Sequence, residues 1–551
     1  MFKLTNGKIK EYDFSNKAFT LIELLAVIII LAIVALIATP IILDVVEDAR
    51  KSAGLSEANM IYSSINNYCA SSEMKKQMGT LGSDDVDCSS KTSFDLADLN
   101  KMVNLGNATV ESNAFLEGKL TSLKVISNKH IYVLCSTGTM ALEGECDTNP
   151  PVEPEPDPEY TDNSGANSPE LLDNMIPVYY DGSNWKYADT KEEWYDYNNK
   201  EWANAVVLNK GVTKNVGDTV NESDIALWYV WIPRYKYQLF NVNNGSVNEQ
   251  EIQITFENGT ATTGTVKCTD AVSGSGSSSE TCTNATNGNW YTHPAFTFGT
   301  QELTGFWVGK FEVSGSTSKI TIKPNVSSLR AQTVSSFFTA IQNMSSEDQY
   351  NLNGDSHMMK NMEWGAVAYL SHSKYGINKE VGINNNRNYI TGCGAEAGSS
   401  LSSSCNAYNT TTGMLASTTG NIYGVYDMSG GAYEYVMGNM VNSSGSFYSS
   451  NAGFSEAPSS KYYDSYTYNT DYQTHGRGKL GDATKETLKT FGSNTGGWYS
   501  DYADFPGSSN SWFPRGGDYG DGSIAGVFYF FYNDGDALSD CSARGVLSVR
   551  E

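Results

Sequence analysis

FTLIELLAVIIILAIVALIATPIIL, residues 19–43, is a run of 25 residues whose only charged side chain is Glu23. Wound as a helix it is about 37 Å long at ~1.5 Å per residue, enough to cross a hydrocarbon core of roughly 30 Å. A carboxylate in such a span costs about 3 kcal/mol, which implies a dedicated partner. Upstream, residues 1–18 carry Lys3, Lys8, Lys10 and Lys17 and end on the small residue Ala18. A secretory signal peptide has a shorter apolar core than this. A plain membrane anchor explains the length, but neither the lone acid nor the FTLIELL string.

Working outward, the helical pattern continues past Pro40 through Val45, Val46, Ala49, Ala53, Ala58, Ile61 and Ile65 to about Tyr68. It changes from wholly apolar to one-sided near Asp44, as expected where a helix leaves the membrane and lays one face on a folded head. Residues 95–146 give short strand-like runs, notably 123–126 and 130–134. Residues 149–159, NPPVEPEPDPE, alternate proline with acid and predict an extended spacer that packs as neither helix nor sheet.

The segment KAFTLIELL, residues 17–25, resembles the processing site of type IV pilins and pseudopilins. The resemblance implies cleavage between Ala18 and Phe19 by a prepilin peptidase and methylation of the new amine on Phe19. It gives Glu23 the role of pairing with the amine of a neighbouring subunit, and Pro40 that of the family's helix-loosening proline. Ala18 departs from the glycine usual in the family. The partners implied are other pilin subunits and the inner or cytoplasmic membrane before assembly, with a final place on the cell surface or filament.

At 551 residues the chain is too long for one ordinary domain. Its net charge of −25 repels phosphate backbones, so nucleic acid is not expected as a partner. The abundance of Tyr, Gly, Ser and Asn fits an exported protein that recognises ligands with loops. Eight of the nine cysteines fall as near neighbours: Cys69 and Cys88, Cys135 and Cys146, Cys268 and Cys282, Cys393 and Cys405. Disulfides between neighbours are the expectation for an exported chain, although spacing leaves other pairings open. Cys541 is left over. With no CxxC and no Cys/His cluster, no metal site is expected. Calcium is compatible with the acidic loops, but no EF-hand-type loop is present.

Beyond the spacer the pattern is of short strands, many turns and a few helices. Residues 226–232 and 306–313 are buried-strand candidates, and 334–344 and 359–371 have helical periodicity. Four pieces in order resemble the formylglycine-generating enzyme family, whose fold elaborates the C-type lectin fold: FWVGKFEVS (306–314), MEWGAVAYL (362–370), NIYGVYDMSGGAYEY (421–435) and RGG (515–517). The third is the most specific. Gly430 and Gly431 are read as positive-φ turn positions, and Glu434 as a partly buried group bonded to backbone amides. Oxidising members of that family bind copper through a cysteine pair near the C-terminus, and two thiolates are the minimum soft set for Cu(I). Here Cys541 is alone in that region, and the five histidines are scattered. No catalytic residue is assigned and the chain is read as a non-enzyme.

Related lectin-fold proteins are the variable proteins of diversity-generating retroelements, whose last strands and loops are rewritten at adenines. Such codons do not become Lys, Glu, Gln, Met or Trp, and residues 518–543 contain none of these types. The variable, ligand-contacting positions are expected among Tyr519, Asp521, Ile524, Tyr529, Phe531, Tyr532, Asp534, Asp536, Leu538, Asp540, Cys541 and Ala543. Gly516, Gly517, Gly526 and Arg544 are read as scaffold. Alternatively, 527–532 is an aromatic core strand and the rest a loop.

The expected class is α+β: a leader (1–18), a long pilin helix with a small β head (19–148), a Pro/Glu linker (149–160), and a C-type-lectin-like domain (161–551) with a variable ligand-binding segment expected at 518–543. The expected function is that of a pilus-displayed adhesin binding an external ligand, with no cofactor. A surface-exposed formylglycine-generating-type oxidase and a structural pseudopilin of a secretion or DNA-uptake system are the alternatives.

Overall fold

A computed structural model describes residues 21–549 apart from 84, 117, 136–137, 147–158, 271–279, 443–445, 448–450, 469–476 and 490–494, and gives backbone alone for 21–45 and 48. The cleavage site Ala18–Phe19 and most of the Pro/Glu spacer therefore lie outside the described residues. Glu23 and Pro40 lie on helical backbone, with their side chains outside that set. The chain divides into two compact units, 1–156 and 157–551.

In the first unit α1 spans Leu21–Gln77 without a break at Pro40, nine residues beyond the expected end at Tyr68. Among the fully described residues no helix is long and apolar enough to cross a membrane; the apolar run falls where α1 is described as backbone alone. Its C-terminal half buries Ala58, Ile61, Ile65 and Cys69, one stripe at helical spacing. That stripe packs on an antiparallel sheet ordered β1 (Thr109–Leu116), β2 (Lys119–Ser127), β3 (His130–Leu134) and β4 (Met140–Leu142). A short helix α2, Leu96–Met102, precedes the sheet and went unexpected; Asp95 caps it by accepting from the Asp98 N–H. Tyr132 lies against α1 at Gly54, donating its hydroxyl to the Lys51 carbonyl at 2.9 Å.

The second unit contains two seven-stranded sheets among its described residues. In chain order their strands are β5 (Met175–Tyr180), β6 (Trp185–Tyr187), β7 (Asn204–Leu208), β8 (Ile225–Pro233), β9 (Gly305–Gly309), β10 (Gly354–Met358) and β11 (Tyr433–Val441). There follow β12 (Asp464–Thr467), β13 (Thr495–Gly496), β14 (Tyr502–Ala503), β15 (Trp512–Gly516), β16 (Gly526–Phe530), β17 (Cys541–Ala543) and β18 (Gly545–Val549). The first sheet runs β10-β18-β9-β8-β7-β5-β6; the second runs β12-β11-β15-β16-β14-β13, with β17 also paired to β11. Helices α3 (Val334–Gln342) and α4 (Asn361–Ser371) occupy the two segments with helical periodicity. Seven tryptophans, among them Trp228, Trp307 and Trp512, are fully buried.

The run 306–313 is a strand only to Gly309. Beyond it, Lys310 and Glu312 turn inward to bind the segment around residue 427. Lys310 is fully buried and donates to Asn204 Oδ1 (2.9 Å) and to the carbonyls of Ile422 (2.8 Å) and Gly424 (2.9 Å). Burial pushes its amine pKa well down, yet three acceptors match the three donors of an ammonium, with Trp185, Trp228 and Tyr426 around it. Gly430 and Gly431 take φ of 72° and 76°; a Cβ on Gly431 would sit 2.3 Å from Glu312 Oε1. That oxygen accepts the Ala432 N–H at 2.8 Å.

The bonded cysteine pairs are Cys69–Cys88, Cys135–Cys146, Cys268–Cys282 and Cys393–Cys405, the nearest-neighbour set, and Cys541 is a free, buried thiol.

Candidate recognition face

The chain after β15 is anchored at both ends by buried charge. At its start Arg515 is fully buried and donates to Asn361 Oδ1 at 3.0 Å and to the carbonyls of Asp482 and Ala483. At its end Arg544 donates to the Gly309 carbonyl (2.8 Å), the Tyr426 carbonyl (2.9 Å) and both carboxylate oxygens of Glu434. Glu434 is thus fully buried and ion-paired with a guanidinium, not partly buried and bonded to backbone amides. The sequence hides this because the two residues are 110 positions apart. Burial raises the Glu434 pKa while Arg544 pulls it back. Asp427 adds its charge to this cluster, and burial, with Asp427 and Glu434 nearby, pushes the Glu312 carboxyl well up.

Between the anchors, β16 is core. Its five residues are buried, and Phe528 N–H donates to Asp501 Oδ2 at 2.9 Å. Gly526 passes so close to that carboxylate that a Cβ would lie 2.1 Å from Asp501 Oδ2. Tyr529, at 4% exposure, therefore belongs to the core edge, which corrects its place among the ligand-contacting candidates. Cys541 (1%) and Ala543 (0%) are corrected likewise, because β17 pairs in parallel with β11 and buries both. Burial pushes the Cys541 thiol pKa well up, with Asp540 adding to it.

The remaining nine candidates, Tyr519, Asp521, Ile524, Phe531, Tyr532, Asp534, Asp536, Leu538 and Asp540, are half-buried or exposed on the loops before and after β16. An unbroken series of rings crosses this region. Tyr433 lies 5.8 Å from Tyr529, Tyr529 5.9 Å from Tyr502, Tyr502 6.0 Å from Phe531, and Phe531 stacks on Tyr532 at 4.6 Å. Tyr519 meets Tyr389 edge-on at 4.8 Å, and the Arg330 guanidinium covers Tyr389 at 3.7 Å. Arg330 also donates to the Ser539 carbonyl.

Carboxylates stand among the rings. Burial raises the Asp518 carboxyl to about 6, and Asp521 and Asp540 add their charge against a hydrogen bond from the Gly520 N–H. Asp521 and Asp536 are raised as well, again mainly by burial. Asp534 accepts from Asn451 Nδ2 at 2.6 Å. Sequence reasoning did not single out Tyr389, Tyr433, Tyr502 or Arg330 as members of this region. Only Tyr433, inside a quoted motif, carried a local signal.

Among the described residues the grouping within reach of one metal ion is Cys268, Glu280 and Cys282; its sulfurs are bonded to each other and Glu280 is paired with Lys485 at 3.0 Å. Copper of the kind used by formylglycine-generating enzymes does not fit this chain, since eight cysteines are in disulfides and Cys541 has no second thiol beside it.

No curated protein matches the chain. The family model of the prokaryotic N-terminal methylation motif matches residues 13–39. That match spans the Ala18–Phe19 junction, Glu23 and most of the apolar run, so the amino terminus carries a prepilin-type motif, which implies processing by a prepilin peptidase, membrane anchoring and assembly with other pilin subunits.

Proposed function

We propose that this chain is a non-catalytic recognition protein displayed on a type IV pilus-like filament. The N-terminal helix enters the filament, Glu23 pairs with a neighbour's amine, and the second unit carries a lectin-like scaffold whose last loops bind an external ligand. The observation that carries this reading is the arrangement after β15: nine of twelve candidate positions reach the surface on loops held at each end by a fully buried arginine. A rigid frame presenting Tyr and Phe gives large contact area at little side-chain entropy cost. Display in many copies multiplies weak single-site affinity. The single free thiol weighs against an oxidase.

Population sequencing of the codons for 518–543 tests the diversified form of this proposal. Substitutions are expected at Tyr519, Asp521, Ile524, Phe531, Tyr532, Asp534, Asp536, Leu538 and Asp540, and not at Arg515, Gly516, Gly517, Gly526 or Arg544. Substitution spread evenly over both sets, buried positions included, would refute it. An invariant segment would leave a fixed-specificity adhesin and remove the diversification.

A further inference from the structure

In the second unit the exposed large aliphatic side chains among the described residues are Val216, Leu401 (55% exposed) and Ile524 (39%). The last two belong to loops that touch. Loop 385–405 meets loop 518–525 where Tyr389 packs on Tyr519, where a Cβ on Gly398 would lie 3.5 Å from Ser523 Cβ, and where Ala395 and Ala525 share a buried cluster with Ile383. The 385–405 loop is internally braced. Ser402 N–H donates to the Asn385 carbonyl at 2.8 Å, Asn385 Nδ2 donates to the Ser400 carbonyl at 2.7 Å, and Cys393–Cys405 closes it. It is a fixed wall beside the loops already described.

The charge on this combined surface is one-sided. The exposed and half-buried charges of these segments are mostly acidic: Asp518, Asp521, Asp534, Asp536, Asp540 and Glu396 against Arg387, with Arg330 beside Tyr389. Of these Arg330 is held against Tyr389 and the Ser539 carbonyl. Aliphatic side chains and aromatic rings interspersed with carboxylates suit an occupant of complementary make-up: apolar contacts interspersed with lysine or arginine, whose cations pair with the carboxylates and lie over the rings. A neutral glycan can stack on the rings and donate hydroxyls to the carboxylates, but it brings no cation to the acidic surface and no aliphatic surface to Leu401 or Ile524.

We propose that the ligand is a protein whose docking surface combines basic and aliphatic side chains, and that loop 385–405 supplies one half of the contact through Leu401 and Tyr389. This rests on the recognition reading above.

The test uses the full chain in detergent micelles, applied to an array of short peptides graded from acidic through neutral to Lys/Arg-rich with and without leucine, and to a glycan array. Binding is expected on peptides that are both basic and leucine-containing, weakening with salt. The double variant Leu401→Ser/Ile524→Ser and the variant Asp518→Asn/Asp521→Asn/Asp540→Asn should each bind about tenfold more weakly. Both alter exposed or half-buried side chains, and an unchanged tryptophan-fluorescence melt certifies the fold. Binding to glycans or to acidic peptides would overturn this partner while leaving the recognition reading in place. Undiminished binding by the Leu401→Ser/Ile524→Ser variant would overturn the role of the fixed loop. Silence of both arrays would overturn the proposal together with the recognition reading.

Discussion

Arg544→Met should strongly destabilise the second unit. Arg544 is fully buried, and its removal leaves Glu434 without a counter-ion, next to the carboxyls of Glu312 and Asp427. Breaking a buried ion pair from one side costs about 3–5 kcal/mol. The carbonyls of Gly309 and Tyr426 also lose their donor, at about 1 kcal/mol or more each. The total of roughly 5–7 kcal/mol is comparable with the whole stability of many domains, ~5–15 kcal/mol. Protonation of Glu434 relieves part of it, so the loss should sit at the lower end. At about 2 °C per kcal/mol for a large domain, the melting transition should fall by roughly 10 °C. All ten tryptophans lie beyond residue 156, so their fluorescence reports this unit alone. The companion Glu434→Gln keeps an acceptor for Arg544 and should fall by less than half as much. A shift below about 2 °C for Arg544→Met would refute the view that this pair ties the final strands to the 424–431 segment.

His357 supplies a pH signature. Burial alone would lower its pKa, but the nearby Glu363 and Asp355 carboxylates outweigh that and hold it up at about 9. Because this lies above the unfolded value, the pair stabilises fully below about pH 6.5 and is lost as pH rises through about 9. Urea midpoints should therefore decline between pH 7 and 9, and His357→Gln should flatten that decline. In the head, Gly54→Ala sets a helix-propensity gain of about 1 kcal/mol against overpacking of about 1–3 kcal/mol. A Cβ would lie 2.3 Å from the Tyr132 hydroxyl, which is pinned to the Lys51 carbonyl; net destabilisation, read as an earlier loss of helical circular dichroism, is expected. Glu23→Ala should abolish incorporation into filaments while the precursor still reaches the membrane; normal incorporation, seen by immunogold labelling, would remove the pairing role.

Local pattern made several elements legible. A 25-residue apolar run with one acid, then a one-sided stripe, reads directly as a long helix that meets a head, because helical periodicity is a property of neighbours in the chain. Spacing of cysteines favoured the pairs that are bonded without excluding others, since loops of 11–19 residues close readily. Helices α3 and α4 were visible for the same reason. α2 was not, because seven residues are too few to show a period. The strand expected over 306–313 ended early at Gly309, where Lys310 is drawn to acceptors over 100 residues away in the chain.

The sequence by itself determined the prepilin-type amino terminus and pointed to a division of the chain near the proline-rich segment, and it named 518–543 as the segment proposed for contacts. Only the tertiary structure decided which residues of that segment face outward. Tyr529, Cys541 and Ala543 share its composition with Tyr519 and Phe531, yet β16 is buried and β17 is paired to β11, so the first three are covered while the others remain accessible. The same holds for Tyr389, Leu401 and Arg330, which reach the face from distant loops. Exposure depends on which strands pair and which charges they bury. In this chain such partners lie far apart, Arg544 and Gly309 by 235 residues, beyond the reach of any local pattern.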